Sequence, residues 1–450
     1  TSSTQIKLGG AVTTSGSQTY TGPVVLNNNI TNTTSGGGVI FSSTVNSIAN
    51  AAKTLTMTLG AGNATFGGAV GGATNGVLGS LSITTTGTTV INGGAVTTTG
   101  AQTYASNVTL GADATLSATT ATFTGTVAGA YGLAITGNAV FGDAAADSVT
   151  LSGSAKNLSV SGTTAINTSS VTTSGSQTYS GALTVGVSTT LSASAITTSS
   201  TIAASAYNLT MTTDAIALGA NVSGTGTLVI QPKTASTTVG VGTDASGVLS
   251  LNDTELGRLV DGFSSITIGS TSGTGAIAIN YNASSYTFTD PIVIRSSSGT
   301  ITASDLLNTG TNSLTISTTG TVNLVGITAG TLAVTGNGIT LNTNVTTSGT
   351  QTYTGAVTLV NSITIASTGA SSAGNNISFS SSINGTTANT QSLTLNSGTG
   401  GTITVSGQTG TSTSLSTLTL TNSNGATFTG AVTTGTSVVI TSTSNGEIGR

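Results

Sequence analysis

The sequence contains neither cysteine nor histidine among its 450 residues. Without cysteine it can form no disulfide and no thiolate metal site. Without histidine it lacks the side chain that most often serves as general base and metal ligand. Charged residues make up 4% of the chain, with 7 Lys or Arg and 11 Asp or Glu. Seven cationic residues are too few to form a phosphate-binding stripe, and we therefore expect no nucleic-acid partner. Nothing in the composition predicts a cofactor.

Long apolar runs are also missing. No run approaches the roughly 20 residues that a transmembrane helix needs, so we expect a chain that is not transmembrane. Disordered chains combine few aliphatic residues with high net charge, whereas here the net charge is −4 and Val, Ile and Leu recur in an ordered pattern. Because β-branched residues favour strands, the composition predicts a folded β protein.

One block of sequence recurs four times, at 12–22, 96–106, 171–181 and 345–355. A tyrosine stands near the end of each copy: Tyr20, Tyr104, Tyr179 and Tyr353. A second recurring segment, ATF followed by Gly or Thr, is centred on phenylalanine: Phe66, Phe123 and Phe428 are its clearest copies. Such repetition indicates one structural unit stacked on copies of itself.

Short stretches between these blocks alternate aliphatic and threonine residues, as at Leu55, Met57 and Leu59. This period of two places one set of side chains in a core and the other outside, and Gly, Asn and Ser clusters supply the turns. The pattern predicts an all-β parallel β-helix, a single continuous β-solenoid over 1–450 with about 20 rungs. Antiparallel sandwich modules are the alternative, but they should show proline-marked linkers and a core signature at constant spacing.

The recurring blocks divide the predicted solenoid into superrepeats at about 12–95, 96–170, 171–344 and 345–450. One segment, 231–305, breaks the pattern, since it holds nine of the eighteen charged residues and two of the three prolines. We interpret it as an irregular, charged insertion. Its run 253–262 has apolar residues at helical spacing, which predicts a short helical turn with Asp253 as N-cap.

These motifs resemble filamentous-haemagglutinin-type exoproteins. The resemblance is carried by VTTSGSQTYTG at 12–22, the ATFTGAV segment at 426–432 and LNDTELGRLVDGFSSITIG at 251–269. That family comprises giant bacterial surface proteins exported by two-partner secretion or autotransport. The resemblance implies a right-handed parallel β-helix, a location outside the cell or at its surface, and an adhesive or scaffolding role. The family's secretion domain, with its Asn-Pro-Asn-Gly signature, is not found in this sequence.

The expected function is therefore structural and non-catalytic: a stiff β-helical rod or fibre of a bacterial surface adhesin or extracellular matrix. Its expected partners are other copies or further solenoid of the same chain, and host-cell or matrix glycans. Ile6 and Leu8 at one end, and Val438 and Ile440 at the other, have ordinary rung patterning. Because exposed strand edges promote further pairing, we expect solenoid to continue beyond both ends, either along a longer chain of which this is a fragment or by stacking onto identical copies into a filament.

The alternative function is binding or processing of polysaccharides at the charged segment. Its candidate residues are Asp253, Glu255, Arg258 and Asp261, because paired carboxylates carry out glycoside hydrolysis. The simpler interpretation is that these charges keep a surface turn soluble. Calcium could also bind at this segment or near Asp143 and Asp147.

Three further patterns have a structural and a functional interpretation. The block tyrosines could stack on a ligand, but we expect each ring to fill a corner of a rung with its hydroxyl reaching solvent. Threonine rows at 54–58 and 84–86 could order ice, or could simply be good strand formers on an exposed face. Asn32, Asn63, Asn107 and Asn344 begin N-x-[ST] glycosylation patterns that arise readily by chance in such a composition.

Overall fold

The structure, a computed structural model, describes residues 4–281, 285–442 and 446–448. Over these residues the regular secondary structure is β-strand, with one short helix. It forms two compact units, Thr1–Gly226 and Thr227–Arg450. Within each unit the strands pair in parallel with strands one turn further along the chain. The all-β parallel solenoid expected from the period-two pattern is confirmed, and the antiparallel sandwich is wrong. The hand of the coil and the number of rungs stay predictions.

The described part of the first unit, 4–226, contains 27 strands, most of them short. They are β1 Ile6–Leu8, β2 Val12–Thr14, β3 Gln18–Tyr20, β4 Val24–Leu26, β5 Ile30–Thr34, β6 Val39–Phe41, β7 Val45–Ser47, β8 Leu55–Thr58, β9 Ala64–Phe66, β10 Leu81–Ile91, β11 Ala95–Thr97, β12 Gln102–Leu110, β13 Ala114–Phe123, β14 Val127–Gly129, β15 Leu133–Phe141, β16 Ser148–Leu151, β17 Leu158–Val160, β18 Thr164–Ile166, β19 Ser170–Thr173, β20 Gln177–Tyr179, β21 Leu183–Val185, β22 Thr189–Ser192, β23 Ile196–Thr198, β24 Ile202–Ala203, β25 Leu209–Thr212, β26 Ile216–Leu218 and β27 Val222–Ser223.

Three parallel sheets run through this unit, and the chain visits them in a fixed order. Sheet A contains β1, β4, β7, β11, the first parts of β13 and β15, and β17, β20, β23 and β26, with Val70 bridging β7 and β11. Sheet B contains β2, β5, β8, the first parts of β10 and β12, the last parts of β13 and β15, and β18, β21, β24 and β27. Sheet C contains β3, β6, β9, the last parts of β10 and β12, and β14, β16, β19, β22 and β25.

Where the structure describes the second unit, it contains helix α1, Asp253–Leu256, and 22 further strands. They are β28 Thr227–Gln231, β29 Val239–Val241, β30 Leu249–Leu251, β31 Ser265–Ser270, β32 Ile277–Ile279, β33 Ser285–Thr287, β34 Ile292–Ser296, β35 Ile301–Asn308, β36 Leu314–Ser317, β37 Thr321–Ala329, β38 Leu332–Leu341, β39 Val345–Thr347, β40 Gln351–Leu359, β41 Ile363–Ala366, β42 Ile377–Phe379, β43 Ile383–Gly385, β44 Leu393–Asn396, β45 Thr402–Val405, β46 Leu415–Asn422, β47 Gly425–Phe428, β48 Thr434–Ile440 and β49 Gly446–Ile448.

Three parallel sheets also run through the second unit. Sheet D contains β28, β31, β34, β36, the first parts of β38 and β40, and β42, β45, β47 and β49. Sheet E contains β30, β29, β32, the first parts of β35 and β37, the last parts of β38 and β40, and β43. Sheet F contains β33, the last parts of β35 and β37, and β39, β41, β44, β46 and β48.

Each unit has a core built from equivalent residues of successive rungs. In sheet A, for example, Val24 pairs with Val45 and Leu133 pairs with Leu158, and these side chains are buried. The residue between two inward positions points outward, which explains why threonine so often alternates with an aliphatic residue. Burial of each such aliphatic side chain contributes about 1.5–3 kcal/mol, so a solenoid gains stability with every rung.

The irregular part of the second unit is narrower than the insertion predicted over 231–305. Strands β31, β32 and β34, which lie inside that range, pair with successive rungs in the ordinary way. The irregularity is the segment 242–264, here named the charged loop, which contains β30 and α1. The insertion over 231–305 is predicted from the density of charged residues. That range is too wide, because outward positions on ordinary strands can also carry charged residues, as Arg295 on β34 does.

Strand order is also inverted at the charged loop. Strand β29 pairs on one side with β30 and on the other with β32, although it precedes both in the chain. The chain therefore forms β29, returns beneath it to form β30, and then proceeds through α1 to β31. A sequence period cannot reveal this detour, because each strand by itself has the ordinary alternating pattern.

Candidate functional site

The charged loop is built around a helix of one turn. Asn252 is the N-cap: its side chain accepts from the Glu255 N–H at 3.0 Å, and Glu255 Oε2 accepts from the Asn252 N–H at 3.1 Å. The predicted helical turn is confirmed, but its predicted N-cap, Asp253, is wrong by one residue. The reciprocal bonds form a capping box, which stabilises a helix too short to persist alone.

The four predicted site residues do not share one arrangement. Asp253 Oδ1 accepts from the Thr243 N–H at 3.0 Å, which joins the start of α1 to the start of the loop. Glu255 is buried, with its carboxylate in the capping box. The backbone N–H of Arg258 donates to Glu255 O at 3.1 Å, and its side chain is half-buried, whereas Asp261 is exposed. The loop thus gives the carboxylates of Asp253 and Glu255 local backbone partners.

A carboxyl pair does occur, but it joins Asp261 to a residue outside the predicted set, Asp290. Asp290 is 3% exposed; its Oδ1 accepts from the Gly262 N–H at 2.9 Å, and its Oδ2 is buried without a hydrogen-bond partner. Burial raises the pKa of Asp290, and the negative charge of Asp261 raises it further. Asp290 follows β33 at a turn, where charge density in the sequence could have indicated it.

A group of aromatic side chains lies against the charged loop. The Tyr286 hydroxyl donates to Leu256 O at 2.8 Å, which holds the end of α1. The Tyr286 ring lies 4.9 Å from that of Phe288 and 5.9 Å from that of Tyr281. Burial raises the pKa of Tyr281, whose backbone N–H donates to Asp305 Oδ2 at 2.7 Å. The loop therefore rests on its own small core.

Metal coordination finds no support in these arrangements. Over the described parts of the chain, no group of three or more Asp or Glu side chains lies close enough to hold an ion. At the other proposed calcium position, Asp147 Oδ2 accepts from the backbone N–H groups of Asp143 and Ala144, at 3.3 and 3.1 Å. That carboxylate therefore closes a turn.

The recurring block forms a buried polar arrangement that the sequence reasoning missed. In each copy a glutamine lies two residues before the tyrosine: Gln18, Gln102, Gln177 and Gln351. The tyrosine hydroxyl donates to the glutamine Oε1, at 2.9 Å for Tyr104, 3.0 Å for Tyr179 and 2.8 Å for Tyr353. These three hydroxyls are fully buried, so the expectation that they reach solvent is wrong. Burial raises the pKa of each.

The glutamine amide connects three strands. In the second copy, Gln102 Nε2 donates to Val96 O at 3.0 Å, on the strand before the corner. It also donates to Ser117 O at 3.0 Å, on the next rung. The third copy repeats both contacts, from Gln177 Nε2 to Val171 O at 2.8 Å and to Ser192 O at 3.0 Å.

A threonine completes each copy by closing the turn. The hydroxyl of Thr98 donates to Gly100 O at 2.8 Å, and that of Thr173 to Gly175 O at 2.9 Å. We name this set of Thr, Gly, Gln and Tyr the corner cluster. Each recurring polar residue of the block has a role in this cluster. The threonine closes a turn with the glycine two residues later, the glutamine joins strands, and the tyrosine hydroxyl donates to the glutamine.

The three copies in the first unit occupy three different corners of the solenoid. The first copy turns from sheet B (β2) to sheet C (β3). The second turns from sheet A (β11) to sheet B (β12), and the third from sheet C (β19) to sheet A (β20). The block therefore encodes a corner that fits any of the three positions, which explains why its copies are unevenly spaced.

Aromatic stacks extend from the corner clusters into neighbouring rungs. The Tyr104 ring is 5.1 Å from Phe123, which is 5.4 Å from Phe141, with interplanar angles of 7° and 6°. Tyr20, Phe41 and Phe66 form a similar stack. The predicted core residues are buried: Tyr104, Tyr179, Tyr353, Phe66, Phe123 and Phe428 are at most 1% exposed. Tyr20 is half-buried.

The threonine rows do not form a uniform outward surface. Thr85 is buried, and its hydroxyl donates inward to Gly60 O at 3.0 Å and to Gly62 O at 2.5 Å. The row at 84–86 is therefore interrupted, because the strand bends at that corner.

Asparagines at the turns bind the next rung. Oδ1 of Asn63, Asn107 and Asn344 accepts a backbone N–H from the following rung, at 2.8, 3.0 and 2.8 Å. Asn32 is fully buried, and its Nδ2 donates to the Tyr20 hydroxyl at 2.8 Å. These side chains therefore have a structural role in the solenoid.

No protein-family model, curated protein or solved structure matches this chain. Among the residues that the structure describes, no helix has the length and apolar character needed to cross a membrane.

Proposed function

We propose that the protein is a structural, non-catalytic component of a bacterial surface adhesin or extracellular matrix, in which each β-solenoid unit acts as a stiff support. The observation that carries this proposal is the corner cluster. The side chains that define the recurring block, such as Gln102 and Tyr104, are buried and bonded to one another and to backbone carbonyls. Repetition in this sequence thus serves the stability of the rungs.

The outward surface supports the same function. Its strands present mostly Thr, Ser and Asn beside buried aliphatic positions, as in β36 and β44. Such a surface has little charge, and it favours many weak contacts over one strong site. Further solenoid, other copies of the chain and glycans of a cell or matrix are the partners that we propose for it.

Catalysis at the charged loop is the alternative, and the geometry gives it little support. The carboxylates of Asp253 and Glu255 accept backbone N–H groups within the loop. Asp261 lies beside Asp290, whose Oδ1 accepts from the Gly262 N–H. A glycoside hydrolase needs two carboxyl groups that face a sugar from either side. The contacts of this loop instead bind it to itself and to the turn at Asp290.

The test is to locate the protein in the organism that makes it and to remove it. Immunogold labelling should find it outside the cell, and deletion of its gene should reduce surface attachment or cell–cell aggregation. Restoring the gene should restore attachment, whereas a gene carrying Gln102→Ala and Gln177→Ala should restore less. Label confined to the cell interior, or unchanged attachment after deletion, would exclude the proposal.

A further inference from the structure

Two grooves lie on the outer face of sheet A in the first unit. The first, of about 340 Å³, is lined by the outward residues Lys7, Val25 and Asn46 of neighbouring strands and by Ile48 at its rim. The second, of about 300 Å³, lies over Thr115, Ala134 and Ser159, which also stand next to one another in this sheet. Both grooves therefore occupy the same face at two levels.

Small outward residues and protruding turns create the second groove. Ala134 leaves a depression between Thr115 and Ser159, since its side chain ends at Cβ. Lys156 forms one wall, with its Nζ 2.9 Å from Asp113 Oδ1 and 5.6 Å from the centre of the Tyr131 ring. This ion pair joins turns that are 43 residues apart in sequence and two rungs apart in sheet A.

We propose that the outer face of sheet A binds a neutral polysaccharide chain laid across successive rungs. This inference rests on the proposed surface function, for which it supplies the adhesive face. The ligand would contact the amide and hydroxyl groups of the grooves, while the edge of its sugar rings packs on apolar side chains.

The chemistry of the lining favours a hydroxyl-rich, uncharged ligand. Asn27 and Asn46 in the first groove, and Asn157 and Ser159 in the second, offer polar groups that suit sugar hydroxyls. The second groove carries one carboxylate and one ammonium, paired with each other, so neither sign of charge is in excess there. The first groove carries a single charged side chain, Lys7, among amide and hydroxyl groups. Val25 and Ile48 supply the limited apolar contact that pyranose rings need.

A polypeptide fits this face less well. Extended peptides bind sheets by adding a strand at an open edge, where N–H and C=O groups are unpaired. In the interior strands of sheet A those groups are bonded to the rungs on either side, as from the Leu133 N–H to Asn157 O at 2.9 Å. The face therefore offers side chains, and a ligand must be recognised by them.

The spacing of the grooves predicts a dependence on chain length. Strands in a sheet are about 4.8 Å apart, and several strands of sheet A separate the centres of the two grooves. A short oligosaccharide can fill one groove only. A longer chain can fill both, and its second contact then forms at high effective concentration.

The experiment measures binding of the whole chain to size-fractionated neutral oligosaccharides by isothermal titration calorimetry. The probes are β-1,4-glucose, α-1,4-glucose and β-1,4-N-acetylglucosamine series, with gelatin as a polypeptide probe. We expect at least one series to bind, with affinity that rises tenfold or more as its chains become long enough to span both grooves. Ala134→Arg, which fills the second groove, should weaken binding of the long chains at least tenfold and abolish the length dependence.

The matched control is Thr122→Ala on sheet B, which should bind like the unaltered chain. Circular dichroism and thermal unfolding should show that Ala134→Arg remains folded, because residue 134 points outward; if it does not fold, Lys156→Ala replaces it. Absence of binding to every series, binding that Ala134→Arg leaves unchanged, or binding of gelatin alone would overturn the proposal. If the protein lies at the cell surface and is required for attachment but does not bind these ligands, the proposal for the grooves is wrong and the proposed function still stands.

Discussion

The corner clusters and the charged loop use polar side chains in opposite ways. In a corner cluster, Gln177 and Tyr179 are uncharged, fully buried and bonded to strands of two rungs. In the charged loop, the carboxyl groups of Asp253 and Glu255 each accept a backbone N–H from within the loop. The first arrangement recurs at four corners, one for each copy of the block, whereas the second occurs at one place in the second unit.

This difference teaches which polar groups a solenoid can repeat. A buried charge must be paired or it costs several kcal/mol, and a column of like charges in stacked rungs would repel. A neutral amide with all its hydrogen bonds made has neither problem. The chain therefore places amides and hydroxyls in these buried corners and keeps charged residues at turns, in the loop and at outward strand positions such as Arg295.

The largest expected effect is the loss of a corner glutamine. Gln177→Ala leaves the buried Tyr179 hydroxyl and the carbonyls of Val171 and Ser192 without their partner, and it opens a cavity. We expect the free energy of unfolding to fall by about 3 kcal/mol, measured by denaturant titration.

The matched control for this change is Gln18→Ala. Its partner Tyr20 is half-buried and has a second partner in Asn32, so its hydroxyl keeps a bond and access to solvent. The loss there should be smaller than for Gln177→Ala. Equal losses at the two positions would show that burial of the cluster does not determine its contribution.

Removal of a tyrosine hydroxyl should have an intermediate effect. Tyr179→Phe keeps the ring but leaves Gln177 Oε1 buried without its donor, which should cost about 1–2 kcal/mol. In the double variant Gln177→Leu/Tyr179→Phe, no buried acceptor is orphaned on the side chains. The decrease in its free energy of unfolding, measured by denaturant titration, should therefore be smaller than the sum of the decreases for Gln177→Leu alone and Tyr179→Phe alone. An additive result would mean that the two groups do not act together.

The capping box of the charged loop should matter less, and only locally. Glu255→Ala removes the carboxylate that accepts from the Asn252 N–H, at a cost of about 1 kcal/mol. Hydrogen exchange should show faster exchange over 252–258 and unchanged protection in β34 and β36. Glu255→Gln, which keeps an acceptor oxygen, is the control and should retain most of the protection. A loss of protection that spread into those strands would show that the loop supports the rungs.

Sequence alone was sufficient for the repeat and the inward alternation, but not for the corner cluster. Gln102 and Tyr104 have the same inward parity and recur together, which is the signal that could have identified a buried polar pair. Considered without the glutamine, the tyrosine is predicted to bury its ring and to leave its hydroxyl in solvent. The inverted order of β29 and β30 has no such signal, because it depends on pairing between strands and not on the residues of either strand. The partnership of Asp261 with Asp290 is likewise a product of folding, since 29 positions separate them in the sequence.

The smallest expected effect concerns Asp290 and pH. Its folded pKa is raised above the ordinary value of 3.8 by burial and by Asp261, so the ionised form opposes folding of the loop. As pH falls from neutral towards 3.8, the folded loop takes up a proton more readily than the unfolded chain, and its stability should rise and then level off. Asp290→Asn keeps an acceptor for the Gly262 N–H without the charge, so it should remove this contribution and increase loop protection at neutral pH. The measurement is the difference in hydrogen-exchange protection of Gly262 and Phe263 between the two proteins across that range. Asp261→Asn should lower the pH at which the rise occurs, because it removes the neighbouring negative charge. A loop that Asp290→Asn leaves less protected than the original at neutral pH would show that the ionised carboxylate, and not its neutral form, holds the turn.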